Sequence, residues 1–147
     1  MQITHIPFGE TERFKDVLFE CVKIRKEVFI DEQSVPLSIE QDGKDQESSH
    51  LLLQVGNIYI ATLRMRETSK GIKLERIAVV KKYRAMGYGK ILVTHAIEKI
   101  KALDMSSSIY VHSQENATFL YSSIGFVPTG EKTIEANIPH ITMVYNK

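Results

Sequence analysis

The sequence has 147 residues, of which 43% are hydrophobic and 25% charged, and its formal net charge is +1. These values are typical of one soluble globular domain, and we expect a single domain over residues 1–147. The near-neutral charge and the absence of tryptophan argue against a nucleic-acid or anionic-membrane partner, and no apolar run approaches the roughly 18 residues that a spanning helix needs.

Cys21 is the only cysteine, which excludes an intrachain disulfide framework and a cysteine-rich zinc site. The segment from Met1 to His5 lacks the basic and apolar regions of an export signal. A single thiol without such a signal fits a reducing compartment, so we expect a cytoplasmic protein.

The first half of the chain predicts an opening strand, a helical region and three antiparallel strands. Residues 2–6 alternate weakly, and apolar residues then recur at helical spacing from about Thr11 to Asp31, with Cys21 on the buried stripe. Residues 34–49 are polar and are predicted to form a loop. The runs 50–55 and 58–66 flank Gly56-Asn57, a two-residue hairpin signal, and a further turn leads into a strand over 72–80.

The second half predicts a helix over 90–103, a strand over 108–113, a short helix over 115–123 and two strands near 126–134 and 139–145. Strands and helices do not alternate strictly in this order. We therefore expect an α/β (α+β) fold with a mixed sheet.

The run Arg84-Ala85-Met86-Gly87-Tyr88-Gly89 connects a predicted strand to a predicted helix. The first N–H groups of a helix have no internal partner, and the helix dipole adds positive charge there, so this turn predicts a phosphate or pyrophosphate site. Gly87 and Gly89 would allow unusual dihedrals and close backbone approach. The glycine spacing fits neither a P-loop nor a dinucleotide fingerprint. A plain helix start with two flexible glycines is the alternative.

The pattern R-x-x-G-x-G resembles the coenzyme A turn of the GCN5-related N-acetyltransferase (GNAT) superfamily. A second pattern of that superfamily, N-x-x-x-x-x-Y-x-x-x-G-F, is matched by Asn116, Tyr121, Gly125 and Phe126. Segments such as Ile138-Pro139-His140 are similar to the ElaA/YjcF-like branch. The resemblance implies one GNAT-like domain with a mixed, mostly antiparallel sheet of about six or seven strands and about four helices.

The resemblance also implies acetyl-coenzyme A as cosubstrate. Glu40, Asp42, Asp45 and His50 could mimic a metal set, but a calcium loop needs its own glycine and terminal glutamate, so we expect no metal. The turn would bind the pyrophosphate, the pantetheine arm would pair with the edge of the preceding strand, and one N–H there, from Ile77, would polarise the thioester carbonyl. The residues implied in coenzyme binding are Ile77, Ala78, Val79, Arg84, Ala85, Gly87, Tyr88, Gly89, Lys90, Asn116, Phe119 and Tyr121.

Two residues are candidates for catalysis. Tyr121 holds the superfamily's position for the general acid that protonates the leaving thiolate, and a simply packed tyrosine is the alternative. Glu75 lies on the strand before the turn, where many such enzymes carry a general base that acts directly or through water. Glu75 could instead pair with a neighbouring arginine or face solvent.

The acceptor amine would enter beside the first helices and their loop. Candidate acceptor-site residues are Arg25, Glu40, Asp42, Asp45, His50 and His140. The three carboxylates could attract a cationic amine or form a solvated acidic loop, and each histidine could be structural.

These residues predict an acetyl-coenzyme A-dependent N-acetyltransferase that acts on a primary amine of a small molecule or peptide by direct transfer. The alternatives are a non-catalytic acyl-coenzyme A sensor, a different acyl donor, or an interaction domain without coenzyme. The resemblance also allows a homodimer.

Overall fold

The computed structural model describes residues 1–103 and 107–146. The strands are β1 (Gln2–Ile6), β2 (Ser49–Val55), β3 (Ile58–Thr68), β4 (Gly71–Val79), β5 (Ile109–Gln114), β6 (Phe126–Glu135) and β7 (Ile138–Tyr145). The helices are α1 (Lys15–Arg25), which continues as a π-helical segment (Lys26–Glu32), α2 (Leu37–Glu40), α3 (Tyr88–Ala102) and α4 (Thr118–Ile124). No helix among the described residues is long and apolar enough to cross a membrane.

The seven strands form one sheet in the order β1-β2-β3-β4-β5-β7-β6. β4 and β5 are parallel, and the other described pairs are antiparallel. The predicted mixed, mostly antiparallel sheet and its helices are therefore confirmed. The predicted loop over 34–49 contains the one-turn helix α2, which is too short to give a periodic pattern.

The sheet has two differently covered faces. α3 packs its apolar stripe of Leu92, Val93, Ala96, Ile97 and Ile100 on one face, in the main core cluster. α1 covers the opposite face over β2, β3 and β4. Cys21 is fully buried there, as predicted, and burial raises the pKa of its thiol to about 11, so the thiol stays protonated.

β4 and β5 diverge part-way along their length. Their pairing ends at Leu74 and Val111, although β4 continues to Val79. A β-bulge interrupts the β3–β4 ladder beside this point, and Arg76 there adopts a left-handed φ of 50°. Bulges increase local twist, so β4 turns away from β5. The two strands form a fork, and no strand among the described residues pairs with the β4 edge at 75–79 on the β5 side.

Candidate active site

A cavity of about 680 Å³ follows the fork between β4 and β5. Six of the residues predicted to bind coenzyme line it: Ile77, Ala78, Val79, Arg84, Gly89 and Tyr121. The side chain of Phe119 does not, since that residue is 84% exposed, and its neighbours Ala117 and Leu120 line the wall instead. The rest of the predicted set lies outside the cavity wall, namely Ala85, Gly87, Tyr88, Lys90 and Asn116.

The turn before α3 has two left-handed residues. Gly87, the N-cap of α3, has a φ of 87°, and Ala85 has a φ of 63°. No side chain caps the helix, so its first N–H groups are available to an anion. Gly87 thus adopts the expected left-handed φ. Gly89 lies within α3. A Cβ added at Gly89 would lie 3.8 Å from Cδ2 of Leu120, which is an ordinary contact distance.

The side chain of Arg84 is held by the protein on two sides. Its Nε donates a hydrogen bond to the carbonyl of Val79 at 2.8 Å. Its two terminal nitrogens bind the carboxylate of Glu32 at the end of the π-helical segment. Arg84 therefore ties the turn to the first helical region, and its contact with a phosphate stays a prediction.

Tyr121 combines burial with an unpaired hydroxyl. The residue is 7% exposed, and its ring packs edge-on against Phe126 with centroids 5.6 Å apart. No described residue hydrogen-bonds the hydroxyl, and the side chain lines the cavity. Burial raises the pKa of Tyr121 to about 12. The phenol is therefore protonated at neutral pH and can donate to a group in the cavity.

Glu75 is bound by three cations. Its carboxylate lies 2.5 Å from Nη2 of Arg64, 2.8 Å from Nε of Arg66 and 3.4 Å from Nζ of Lys73. Burial alone would raise the pKa of Glu75, but the hydrogen bond from Arg66 and the charges of Arg64 and Lys73 outweigh it and lower the pKa to about 2. Pairing with neighbouring arginines is thus the arrangement observed, and a carboxylate this acidic is a poor proton acceptor at neutral pH.

The three carboxylates of the acceptor loop are also paired. Glu40 accepts hydrogen bonds from Nε of Arg25 at 2.9 Å and from Nε of Arg76 at 2.7 Å, and Asp42 lies 2.7 Å from Nη2 of Arg64. Asp45 lies 2.8 Å from Arg25 and 2.9 Å from Arg64. The loop is therefore not a solvated acidic loop. Arginines balance its negative charge, which weakens any attraction for a cationic amine.

The predicted acceptor-site residues divide into two groups. Glu40, Asp42 and His140 line the cavity, whereas Arg25, Asp45 and His50 lie outside its wall. His50 is 1% exposed and its Nε2 hydrogen-bonds the carbonyl of Asp45 at 2.9 Å, which indicates a structural role. Nδ1 of His140 hydrogen-bonds the carbonyl of Ile138 at 2.7 Å.

The sequence analysis missed several cavity residues, among them a histidine and a glutamate that contact each other. Nδ1 of His112 on β5 lies 2.5 Å from a carboxylate oxygen of Glu135 on β6, and both residues line the cavity. Nε2 of His112 is buried and has no described hydrogen-bond partner. Strand periodicity places His112 on the face opposite the buried Val111, and this alternation is the one sequence pattern that could have identified His112. No sequence signal identifies Glu135 as its partner.

The comparisons with known proteins agree with the fold. A model of the acetyltransferase (GNAT) domain family matches residues 11–147. The chain belongs to the GNAT family. Among its relatives is an uncharacterized N-acetyltransferase, YjcF of Bacillus subtilis (strain 168), which is 34% identical over 134 residues covering 90% of this chain and 92% of the relative.

Two solved structures extend the likeness over nearly the whole chain. An acyl-CoA N-acyltransferase from Pseudomonas aeruginosa superposes with a TM-score of 0.85 at 26% identity, covering 99% of this chain and all of that one. Escherichia coli ElaA superposes with a TM-score of 0.84 at 22% identity, and the match again covers 99% of this chain and all of that one. The predicted resemblance to the ElaA/YjcF-like GNAT branch is therefore confirmed.

Proposed function

We propose that this chain is an acetyl-coenzyme A-dependent N-acetyltransferase that transfers the acetyl group directly to a primary amine of a small molecule or peptide. The observation that carries the proposal is the fork between β4 and β5, whose cavity extends from Arg84 and Gly89 at the turn to Tyr121. The acyl-CoA named for the Pseudomonas aeruginosa protein supports a donor of this class.

The coenzyme would occupy the fork along its length. Its diphosphate would bind the free N–H groups at the start of α3, where the helix dipole favours negative charge. The amides of the pantetheine arm would hydrogen-bond the β4 edge at Ile77–Val79, as an added strand does. One N–H of this edge, from Ile77, would then face the thioester carbonyl oxygen as an oxyanion donor.

Tyr121 would serve as the general acid. When the carbon–sulfur bond breaks, the electron pair moves to sulfur, and the protonated phenol donates its proton to the thiolate. The hydroxyl suits this role because it lines the cavity and no described residue hydrogen-bonds it. A phenol whose pKa burial has raised to about 12 is a weak acid, but it remains fully protonated at neutral pH.

The state of the nucleophilic side chains supports direct transfer. Cys21 is fully buried, its pKa is raised by burial, and it is absent from the cavity wall. Ser49 does lie 2.9 Å from Nε2 of His5, but it is fully buried and donates its hydroxyl proton to the carbonyl of Ile6. The amine itself is therefore expected to attack the thioester.

The test combines coenzyme binding with thiol release. Acetyl-coenzyme A at about 100 times its dissociation constant should add about 2.7 kcal/mol to the free energy of unfolding. Free thiol is then measured with a panel of polyamines, amino sugars, aminoglycosides, amino acids and peptides, and the donor series includes succinyl- and longer acyl-coenzymes. Stabilisation with amine-dependent release supports the enzyme. Stabilisation without release favours an acyl-coenzyme A sensor, and no stabilisation contradicts the proposal.

A further inference from the structure

We propose that His112, oriented by Glu135, is the base that takes the proton from the acceptor amine. This inference rests on the proposed acetyl transfer. It assigns a catalytic function to a side chain that lines the cavity but belongs to none of the sequence patterns of the coenzyme site.

His112 lies at the point where the fork opens. The last paired residues of β4 and β5 are Leu74 and Val111, so Glu75 and His112 are the first residues beyond the pairing on each strand. Lys73 pairs with Tyr110 one position earlier, and residues two apart share a face. Glu75 and His112 therefore project to the same face of the sheet, on the two sides of the opening.

Glu75 and His112 differ in whether their hydrogen bonds leave an atom free to accept a proton. The carboxylate of Glu75 is shared among Arg64, Arg66 and Lys73. In a neutral ring whose Nδ1–H donates to Glu135, Nε2 carries the free lone pair. That nitrogen is buried without a described partner, which is rare for a polar atom in a folded protein, and the side chain retains 16% exposure at the cavity. Nε2 itself has almost no exposed surface, so a bound amine would have to displace the groups that cover it in order to supply the missing donor.

His140 is the other histidine in the cavity wall, and it is less suited to the role. Its Nδ1 hydrogen-bonds a backbone carbonyl, that of Ile138, whereas Nδ1 of His112 bonds a carboxylate. A carboxylate stabilises the imidazolium that forms when the ring accepts a proton, and a neutral carbonyl does so less. His140 also pairs with Gln114, farther from the last β4–β5 pair than His112.

Glu135 is the positioning residue of this pair. It lies at the end of β6, accepts a hydrogen bond from Oγ1 of Thr133 at 3.2 Å, and lies 3.7 Å from Nζ of Lys73. These contacts hold its carboxylate at Nδ1 of His112 and fix the tautomer in which Nε2 is the acceptor.

Every proton of the acetyl transfer has a donor and an acceptor. The acceptor ammonium gives one proton to Nε2 of His112, and the neutral nitrogen forms a bond to the thioester carbon. The carbon–sulfur bond breaks, and sulfur receives the proton of the Tyr121 hydroxyl. The second proton on the new amide nitrogen returns to the Tyr121 oxygen, and the imidazolium releases its proton to solvent. The products are the acetylated amine, free coenzyme A and one proton.

Other charged or titratable groups lie near the His112–Glu135 pair. They are Lys73 of β4, Tyr110 of β5, Glu131 of β6 and His140 of β7. Because the charges of Glu131 and Glu135 oppose that of Lys73, the test relies on a comparison of variants and not on an absolute pH.

The experiment measures thiol release from acetyl-coenzyme A between pH 5.5 and pH 9 in roughly half-unit steps, a range chosen around the ordinary titration of histidine. The acceptor is the most active amine of the panel above, or water if no amine is active. His112→Asn keeps a donor near the Nδ1 position but cannot accept a proton. His95→Asn on α3, outside the cavity wall, is the matched control. Acetyl-coenzyme A binding is measured in parallel by calorimetry, and His112→Gln replaces His112→Asn if the latter does not fold.

We expect His112→Asn to lower kcat/KM by about 100-fold or more and to remove the acidic limb of the pH profile, with the coenzyme Kd unchanged. Glu135→Gln should lower kcat about tenfold. His95→Asn should stay within twofold of the unsubstituted protein. An acidic limb and a kcat/KM that survive in His112→Asn would overturn the inference. If the unsubstituted protein binds no acetyl-coenzyme A, or binds it without any thiol release, the proposed function fails instead.

Discussion

At the residue scale, burial affects the two predicted catalytic side chains in opposite ways because their neighbours differ. Tyr121 lies among apolar groups, so burial raises its pKa to about 12 and keeps its proton in place. Glu75 is buried to a similar degree, but its cationic partners reverse the effect and lower its pKa to about 2. The surroundings therefore support the acid role of Tyr121 and disfavour the base role of Glu75.

Tyr121→Phe tests the acid role with little disturbance of the fold. The hydroxyl bonds no described residue, and phenylalanine keeps the packing against Phe126. We expect kcat in the thiol-release assay to fall about 100-fold, with the coenzyme Kd and the free energy of unfolding unchanged. Tyr145→Phe is the matched control because Tyr145 also packs against Phe126 but is absent from the cavity wall. Equal kcat values for the two variants would contradict the assignment.

At the scale of elements, an ionic network joins α1, the loop around α2, β3 and β4. Arg64 on β3 is fully buried and contacts Asp42, Asp45 and Glu75, while Arg25 on α1 contacts Glu40 and Asp45. The network holds the loop against the polar face of the sheet, where Ile39, Glu40 and Asp42 form part of the cavity wall. The acidic loop thus shapes the cavity through its arginine partners.

This network predicts loss of stability in acid. The folded-state pKa of Glu75 is about 2, against roughly 4.3 for an unfolded glutamate. Its contribution, on the order of 3 kcal/mol, is therefore complete above about pH 4.3 and is lost as pH falls towards 2. The pKa values of Asp42 and Asp45 are also lowered, because hydrogen bonds from Arg64 and Arg25 outweigh burial, so their contributions have the same sign.

Urea unfolding of the unsubstituted protein and of Glu75→Gln at pH 7, 5 and 3 measures this contribution. Because the substitution removes one partner of buried Arg64, we expect a deficit of about 3 kcal/mol at pH 7. The deficit should shrink as pH falls, since protonation of Glu75 removes the same charge. A constant deficit at all three pH values would contradict the network's role in acid stability.

Local sequence patterns predicted most elements because the signals are contained within each segment. The hairpin at Gly56-Asn57, the apolar stripe of α3 and the buried position of Cys21 all follow from residues close in sequence. Boundaries shifted by a few residues, as with the first helix, predicted from about Thr11 and observed from Lys15.

Features that depend on distant residues were not predictable in the same way. The fork depends on the register in which β4 pairs with β3 and with β5, and on the bulge beside Arg76. Pairing of His112 with Glu135 depends on how β6 and β7 align, including an irregularity between Pro128 and Lys132. Neither register is encoded in the periodicity of a single segment.

At the scale of the whole molecule, one face of the sheet forms the core and the other carries the polar side chains of the candidate site. Its apolar face packs against α3 and α4 and supplies the core. Its opposite face carries the arginine-bound carboxylates beside β4 and the histidines of β5 and β7, and the fork joins the two faces where Tyr121 lies. A donor in the fork would thus meet an acceptor on the polar face.

A crystal structure with acetyl-coenzyme A tests this account most directly. The diphosphate oxygens should lie about 2.9 Å from main-chain nitrogens between Ala85 and Lys90, and the pantetheine amides should pair with the β4 edge at Ile77–Val79. The thioester sulfur should lie within hydrogen-bonding reach of the Tyr121 hydroxyl. Coenzyme bound elsewhere on the protein, or a fork left empty at saturating coenzyme, would contradict the account.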